Sequence, residues 1–412
     1  MLYTKKDILN YVKEEDVQFI KLAFCDVFGK QKNISITAPE LQRAFEHGIS
    51  FSACGIEGFD TSEKSDLLLF PDPSTLSPLP WRSDHGSVVR LFCSIRQPDG
   101  SHCQFDTRHI LKKAIKRAAS KGLSCYFGSE IEFYLFKCDE HGEPTSIPFD
   151  NAGYLDTAPE DKGENIRRQI CLTLIEMGII PERSHHEDGP GQNEIDFKYN
   201  DPLSAADNAM AFKSAVMTIA SMNGLWACFS PKPLPHKSGN GQHINISLSS
   251  IDGKDYTGSF MAGILEHIKE ITLFLNPTEE SYMRLGKKKA PKYISWSPEN
   301  RSQLIRIPAA KGEYARMELR SPDSSCNPYL AYAILIEAGL DGIERELTPP
   351  EPICANLFTS SSHMTSSLKT LPSSLKEALQ YAKASSLVGA CLPSCILDSY
   401  EEYIMENKGM DD

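Results

Sequence analysis

Four short segments of the chain carry acidic, imidazole or guanidinium side chains at alternate positions. SEIEFYLF holds Glu130 and Glu132, and NEIDFKY holds Glu194, Asp196 and Lys198. QHINISL holds His243, Asn245 and Ser247, and YARMELR holds Arg316, Glu318 and Arg320. Side chains of a β-strand alternate between faces, so each set shares one face. Ile244, Ile246 and Leu248 fill the opposite face of QHINISL. For any single segment, a solvated face of a surface strand explains the pattern as well. Four such segments, together with the His-His-Glu turn that ends at Glu187, favour a functional face. Clustered carboxylates repel one another, and cations or protons make such a site tolerable. Carboxylates with one or two histidines suit Mg²⁺ or Mn²⁺. Interspersed arginines hold phosphate oxygens bidentately. Two divalent ions flanked by arginines form an arrangement for phosphoryl transfer.

The elements that must position these residues change character along the chain. MLYTKKDILNYVKEED reads as an amphipathic helix. Residues up to about 100 alternate short apolar strands with turns, including a strand, a tight turn at Phe28-Gly29-Lys30 and a second strand. DLLLFPDP and SVVRLFCSI add two strands, and one helix is expected over Pro39–His47. From about Asp106 an amphipathic helix, TRHILKKAIKRAASKG, ends at Gly122. The strands SEIEFYLF, HHEDGPGQNEIDF, QHINISL and YARMELR follow, separated by helices near 163–177, 203–222, 259–275 and 328–345. Fully buried parallel strands would be apolar throughout. These alternate, so a curved antiparallel sheet with one polar face is expected. FTSSSHMTSSLKTLPSS reads as a loop before C-terminal helices. The fold class is α+β.

The formal net charge of the 412 residues is -12. That argues against nucleic acid as the main partner, since phosphate binding needs a basic footprint. No apolar run is long enough to span a bilayer, so no membrane partner is expected. The charged N-terminus does not read as a signal peptide, and a cytoplasmic location is expected. The 12 cysteines are scattered, with no Cys/His cluster at zinc-ligand spacing.

At this point the residues resemble the glutamine synthetase family, in its shorter Gram-positive-like pattern and nearly end to end. The segments that carry the resemblance are IEGF, SEIEFYLF, GENIRR, SHHEDGPGQNEIDFKY, PHKSGNGQHINIS, NPTEESYMRL, NRSQLIRIP and RMELRSPDSSCNPYLAYAILIEAGLDGI, in family order and spacing. The resemblance implies an N-terminal β-grasp domain over 1–103 and a catalytic domain over 104–412, with a curved antiparallel sheet and flanking helices. It implies that Glu132, Glu187 and Glu194 hold one metal, beside the amino-acid substrate, and that Glu130, His243 and Glu318 hold a second, bridging the ATP phosphates. Arg301 and Arg306 resemble phosphate-contacting arginines, and Arg316 another residue on the ATP side. Arg284 resembles the clamp on the substrate α-carboxylate, and Arg320 a residue near the γ-carboxyl that is phosphorylated. Glu182, Asn245 and Ser247 fall where the family contacts the nucleoside. The cofactors implied are ATP with two or more Mg²⁺ or Mn²⁺ ions, and the assembly is a homo-oligomeric ring with active sites between neighbouring subunits. In the implied reaction, ATP phosphorylates the γ-carboxylate of glutamate and an amine displaces the phosphate.

Three departures bear on the amine half of that reaction. The family's ammonium site uses an aspartate in a loop like FDGSSIEGF; here the loop is FSACGIEGF, with Ser52 at that position. The family's flap, like RLVPGYEAP, carries a glutamate that closes the site and accepts an ammonium proton; here RLGKKKAP puts Lys289 there. The substrate-covering loop NGSGMH is here SGNGQH, with Ser238 replacing the asparagine and Gly239 kept. An ammonium ion needs negative charge to bind and a base to become a nucleophile. Unit charges a few ångströms apart interact by about 1–4 kcal/mol at effective dielectrics of 80 to 20, so exchanging a carboxylate for a lysine costs ammonium use heavily. An amine other than ammonium is therefore expected as the acceptor. Ordinary glutamine synthetase activity, with Glu57, Glu63 or Glu299 in compensation, and a non-catalytic nucleotide-binding homologue are the alternatives. The chain ends soon after SYEEYIMENKGMDD, where family members of this type continue into a helical segment that locks two rings. On the resemblance, neither a double ring nor that segment's regulatory tyrosine is expected.

Overall fold

The segment VQFIKLAFC forms the strand Val17–Cys25, with Ile20 and Leu22 fully buried. The structure is a computed structural model and describes residues 3–59, 65–82 and 86–408. After Cys25 the chain turns on Asp26, whose Oδ1 accepts from the backbone N–H groups of Phe28 (3.1 Å) and Lys30 (2.8 Å). Gly29 sits in that turn at φ 85°, a conformation glycine adopts without steric cost. The chain returns antiparallel as Gln31–Thr37. On its other side Val17–Cys25 pairs in parallel with Ser87–Arg96, and Asp66–Pro71 and Ile49–Ser52 complete that edge of a six-stranded mixed sheet. A parallel pair needs a long crossover, and the helix Leu41–His47 lies within it. The expected helix over Pro39–His47 begins as a 3-10 turn, Ala38–Glu40. Ser52, at a strand end, is exposed. The unit comprises Met1–Ile110 with Leu172–Ile179 and Leu392–Asp412. Ser77 Oγ donates to the Met177 carbonyl (3.1 Å) and Ser399 Oγ to that of Gly58 (2.7 Å), tying the later segments in.

The second unit comprises Leu111–Cys171 and Ile180–Cys391. Its nine-stranded sheet is built on the long strand Leu123–Cys138. In order, the sheet runs Trp296–Pro298, Ile305–Ile307, Met317–Leu319, Gln242–Ser250, Leu123–Cys138, Gln192–Phe197 and Pro181–His186. Leu225–Cys228 and Pro144–Pro148 pair with the far end of the long strand. Every pairing is antiparallel except Trp296–Pro298 with Ile305–Ile307, so the sheet is mixed at that edge. Ile131 and Phe133, on either side of Glu132, are fully buried. The apolar helices Pro202–Met222, Thr257–Leu275 and Pro328–Glu344 supply much of the core. Two of these helices meet at glycines: a Cβ on Gly263 would lie 2.2 Å from the Ala338 carbonyl oxygen.

HHEDGPGQNEIDF proves to be two strands, Pro181–His186 and Gln192–Phe197, joined by a turn. Asp-Gly-Pro-Gly is turn chemistry, and it breaks the run that alternation alone had joined. Lys198 falls beyond the second strand and is exposed, so it leaves the shared face of Glu194 and Asp196. The segment read as loop contains a short helix, Ser362–Thr365. Five strands of three to five residues were not foreseen: Ile49–Ser52, Pro144–Pro148, Leu225–Cys228, Trp296–Pro298 and Ile305–Ile307. Each is too short for alternation to register.

Candidate active site

Strand register brings the acidic residues face to face. Glu194 lies directly opposite Glu132, and Asp196 opposite Glu130. On the other side of the long strand His243 lies opposite Glu130. One strand further, Asn245 lies opposite Glu318, and Arg306 pairs with Glu318 in turn. Directly opposed side chains are close neighbours, and like charges in such pairs are destabilising.

Among the described residues four groups of ligand-type atoms have their atoms within 4.8 Å of one another; Asp150, Asp161 and His186 form one, Glu130, Glu194 and Asp196 another, and the remaining two match the expected metal sites most nearly. Glu130, His243 and Glu318 form the first of these two, the trio expected for one metal. His185, Glu187 and Glu194 form the second. Glu132 faces Glu194 across the register, but its Oε2 accepts from the Gly241 N–H (2.8 Å) and from Gln192 Nε2 (3.1 Å). His185 was not foreseen, although Arg183, His185 and Glu187 occupy alternate positions and the same alternation rule points to them.

The electrostatics show what the register costs. Burial, and then the charges of Glu132, Glu130 and Glu187, push the Glu194 carboxyl well above the usual carboxylate range. Burial, then Glu194 and Glu130, do the same to Asp196, although Arg183 stands 2.5 Å from it. Glu130 goes the other way. Burial raises it, but the hydrogen bond and charge of His243, with Asn245 and Arg183, outweigh burial and bring it to about 2. Hard divalent cations are the partners such oxygen-rich groups suit, and the residues fit them.

The cavity holding these groups has a volume of about 390 Å³. Glu130, Glu132, Glu187, Glu194 and His243 line it, as do Arg284, Arg301, Arg306, Arg316 and Arg320. Glu318 lies behind two of the arginines, 2.6 Å from Arg306 Nη1 and 3.0 Å from Arg320 Nε. Arg320 is buried, and its Nη1 has no protein acceptor, a donor left over for an anion. Arg306 Nε is likewise buried without an acceptor. Arg284 donates to the carbonyls of Ser321 (2.7 Å) and Arg320 (3.3 Å), which fixes its guanidinium at the end of the helix Glu279–Arg284. Ser238 and Gly239 also line the cavity; a Cβ on Gly239 would lie 2.3 Å from the Pro231 carbonyl oxygen, so this loop needs glycine. A smaller cavity of about 70 Å³ is lined by Glu182, Asn245 and Ser247, and shares Glu130, Arg183 and Arg316 with the larger one.

The turn bearing Glu187 is braced from below. His186 is fully buried, with Nδ1 2.6 Å from the Glu187 carbonyl and Nε2 2.9 Å from Asp150 Oδ1. The same Oδ1 accepts from the Gly191 N–H (2.8 Å), so one carboxylate holds both ends of the turn. A ring nitrogen facing a carbonyl must donate, which favours the doubly protonated ring. Burial opposes that charge, but Asp150 outweighs burial and raises the His186 pKa.

Lys287, Lys288 and Lys289 line the cavity, and Lys289 folds over its acidic floor. Its Nζ is 3.0 Å from Asp188 Oδ2, 3.5 Å from Glu187 Oε2 and 4.5 Å from the centre of the Tyr154 ring. Burial lowers the Lys289 pKa, but Glu187 and Asp188 outweigh it and raise the value, so it stays a cation. Of the acids weighed as substitutes, Glu57 pairs with Lys30 at 2.8 Å, Glu299 is exposed, and Glu63 lies outside the described residues.

The model of the glutamine synthetase β-grasp domain matches residues 16–98, and that of the glutamine synthetase catalytic domain residues 104–408. Glutamine synthetase of Clostridium saccharobutylicum is 44% identical over 413 residues, covering 97% of this chain and 93% of that protein. The chain belongs to the glutamine synthetase family. Glutamine synthetase of Methanosarcina mazei is 43% identical, covering 96% and 92% of the two chains. Among solved structures, GmaS in complex with ADP superposes with a TM-score of 0.89 at 28% identity, over 98% of this chain and 96% of that one. Plasmodium falciparum glutamine synthetase shares the fold, with a TM-score of 0.87 at 24% identity over 99% and 96% of the two chains. The fold class read from the sequence is borne out, with a β-grasp domain, a curved sheet and flanking helices. As a member of this family the chain is an ATP-dependent ligase, and ATP with a divalent metal is the family's general requirement. Among the described residues no helix is long and apolar enough to cross a membrane.

Proposed function

We propose that the chain joins glutamate, or a close analogue, to an amine other than ammonium through a γ-glutamyl phosphate. The observation that carries this reading is Lys289 on Glu187 and Asp188 at the cavity mouth. A fixed cation there opposes the approach of NH₄⁺, and of any acceptor that arrives as a simple ammonium ion, so the acceptor suited to the site is a neutral amine or one that carries its own carboxylate.

In this reading Arg284 orients the α-carboxylate of glutamate beside Ser238 and Gly239, and Arg320 faces the γ-carboxyl with its unpaired Nη1. Arg301, Arg306 and Arg316 hold the phosphates, and Glu182, Asn245 and Ser247 hold the nucleoside; the likeness to GmaS solved with ADP supports a nucleotide here. Two divalent ions are assigned, one to Glu130, His243 and Glu318, the other to Glu132, Glu187 and Glu194 with His185 as a further donor. When bound, such ions neutralise the charge of the transferring phosphoryl group. The three lysines cover the cavity and keep water from the acyl phosphate. We also assign the functional division to 1–103 and 104–412, a homo-oligomeric ring as the assembly and the cytoplasm as the location.

The test is phosphate release and product mass with glutamate, ATP, Mg²⁺ and a panel of primary amines. Acceleration by an amine with formation of its γ-glutamyl amide is expected. If no amine raises the rate above the glutamate-only background, the reading is wrong. The second reading is glutamine synthesis itself, favoured by the names of the 40–44% identical relatives. Efficient glutamine formation from ammonium would establish it.

A further inference from the structure

The cavity mouth carries more positive charge than the reaction above uses. Lys289 is committed to Glu187 and Asp188. Lys287 and Lys288 line the same cavity, are exposed, and have no carboxylate partner among the described residues. Lys232 belongs to the same region: burial, then the charges of Lys288, Arg284 and Lys287, press its ammonium below the usual lysine range. Four lysines and one arginine thus share one corner of the site.

The lysines are presented by a closed turn. The Gly286 N–H donates to the Pro291 carbonyl (3.2 Å), the Lys287 N–H to that of Arg284 (3.1 Å) and the Ala290 N–H to that of Lys287 (3.0 Å). Lys288 sits inside this turn at φ 49°, a left-handed conformation that a residue with a side chain adopts at a cost. A solvated loop of lysines would need neither the hydrogen-bonded closure nor the left-handed residue. The closure keeps all three side chains on the cavity wall.

The acid and the nucleotide already have their cations in Arg284, Arg301, Arg306, Arg316 and Arg320. Lys287 and Lys288 are left for the acceptor. We propose that the acceptor amine carries its own carboxylate, which Lys287 and Lys288 hold at the cavity mouth while its amino group faces the interior. The inference rests on the function proposed above and deepens it by naming the substrate class, an amino acid. In the transfer step the amino nitrogen, as the free amine after its ammonium proton has passed to solvent, bonds to the γ-carbonyl carbon and the bond from that carbon to the phosphate oxygen breaks. The phosphate leaves with the electron pair and takes up one proton from the nitrogen. The products are a γ-glutamyl amino acid and inorganic phosphate.

The experiment uses the full chain with glutamate, ATP and Mg²⁺ and compares amines in matched pairs: glycine with methylamine, and β-alanine with ethylamine. Aminomethylphosphonate separates a need for carboxylate from a need for any anion. The carboxylate-bearing member of each pair is expected to have a kcat/KM at least about tenfold higher, the size of a partly screened ion pair. In the double variant Lys287→Gln with Lys288→Gln that preference should fall to within about threefold, without a rise in the KM for ATP. Equal use of the uncharged partners, preference for the phosphonate, or an unchanged ratio in the double variant overturns the inference while leaving an amine ligase. A rise in the KM for ATP instead assigns the lysines to the nucleotide and also overturns it. Glutamine from ammonium as the main product sinks the underlying function as well.

Discussion

The Lys289 ammonium stands 3.5 Å from the carboxylate of Glu187. Glu187 belongs to a group of potential metal ligands with His185 and Glu194, so a lysine flap reaches the acidic floor of the site directly. The Asp188 carboxylate at 3.0 Å and the Tyr154 ring complete its seat. Positive charge is thereby fixed on the acidic residues of the cavity.

Reversing that charge should restore part of the ammonium reaction. Lys289→Glu is expected to raise glutamine formation from ammonium by about tenfold or more, since it removes a repulsion and adds an attraction. A direct glutamine assay at saturating ATP reads the change. Recovery should stay incomplete because Ser52 still occupies the second altered position. A rate equal to or below that of the parent would show that the lysine is not the barrier.

Glu318 lies against Arg306 and Arg320 and within reach of His243. Glu318→Gln keeps the shape and removes the charge that orients both arginines. ATP-dependent phosphate release should fall by more than the roughly 10- to 100-fold typical of outer residues around a metal. Mn²⁺ affinity, measured by calorimetry, should fall with it. Full activity in the variant would remove Glu318 from the assigned ligand set.

The raised carboxyls set a pH dependence with a definite sign. Glu194 and Asp196 hold protons in the folded chain at pH values where the unfolded chain has lost them. Stability of the metal-free protein should therefore decline as pH rises above the ordinary carboxylate range and through their raised values. Glu130, brought to about 2, contributes stability that is lost only as pH falls towards that value. Bound Mg²⁺ or Mn²⁺ should flatten the decline and release protons on binding. Melting temperature against pH, with and without Mn²⁺, checks both statements, and Glu194→Gln should reduce the slope.

His186 should matter to the site through Glu187. His186→Ala breaks a buried pair with Asp150 and is expected to cost about 3 kcal/mol of stability. A role in positioning also predicts weaker Mn²⁺ binding in the folded variant at low temperature. If stability drops and Mn²⁺ affinity stays the same, the brace serves the fold alone.

Much of the site was legible because strand alternation is a strong local rule. It put Glu130 with Glu132, and Arg316 with Glu318 and Arg320, on shared faces before any pairing was known. Register was not legible, because nothing local says that Glu194 will face Glu132 or that His243 will face Glu130. The turn at 187–191 hid the brace, since Asp150 lies far away in sequence and meets His186 only in the folded chain. Lys289 could be named as a departure from the family pattern. Its direction depended on a closed turn with Lys288 in a left-handed conformation, which a run of three lysines does not announce. The strands Trp296–Pro298 and Ile305–Ile307 were missed because three residues carry too little periodicity, and their parallel pairing followed from neither pattern nor composition.

One competition experiment tests the central claim most directly. The purified chain is given glutamate, ATP and Mg²⁺ with equal concentrations of ammonium and primary amines, glycine and methylamine among them, and the products are resolved by mass. A γ-glutamyl amide of one of the amines should dominate, with glutamine a minor product. Glutamine as the dominant product would contradict the account.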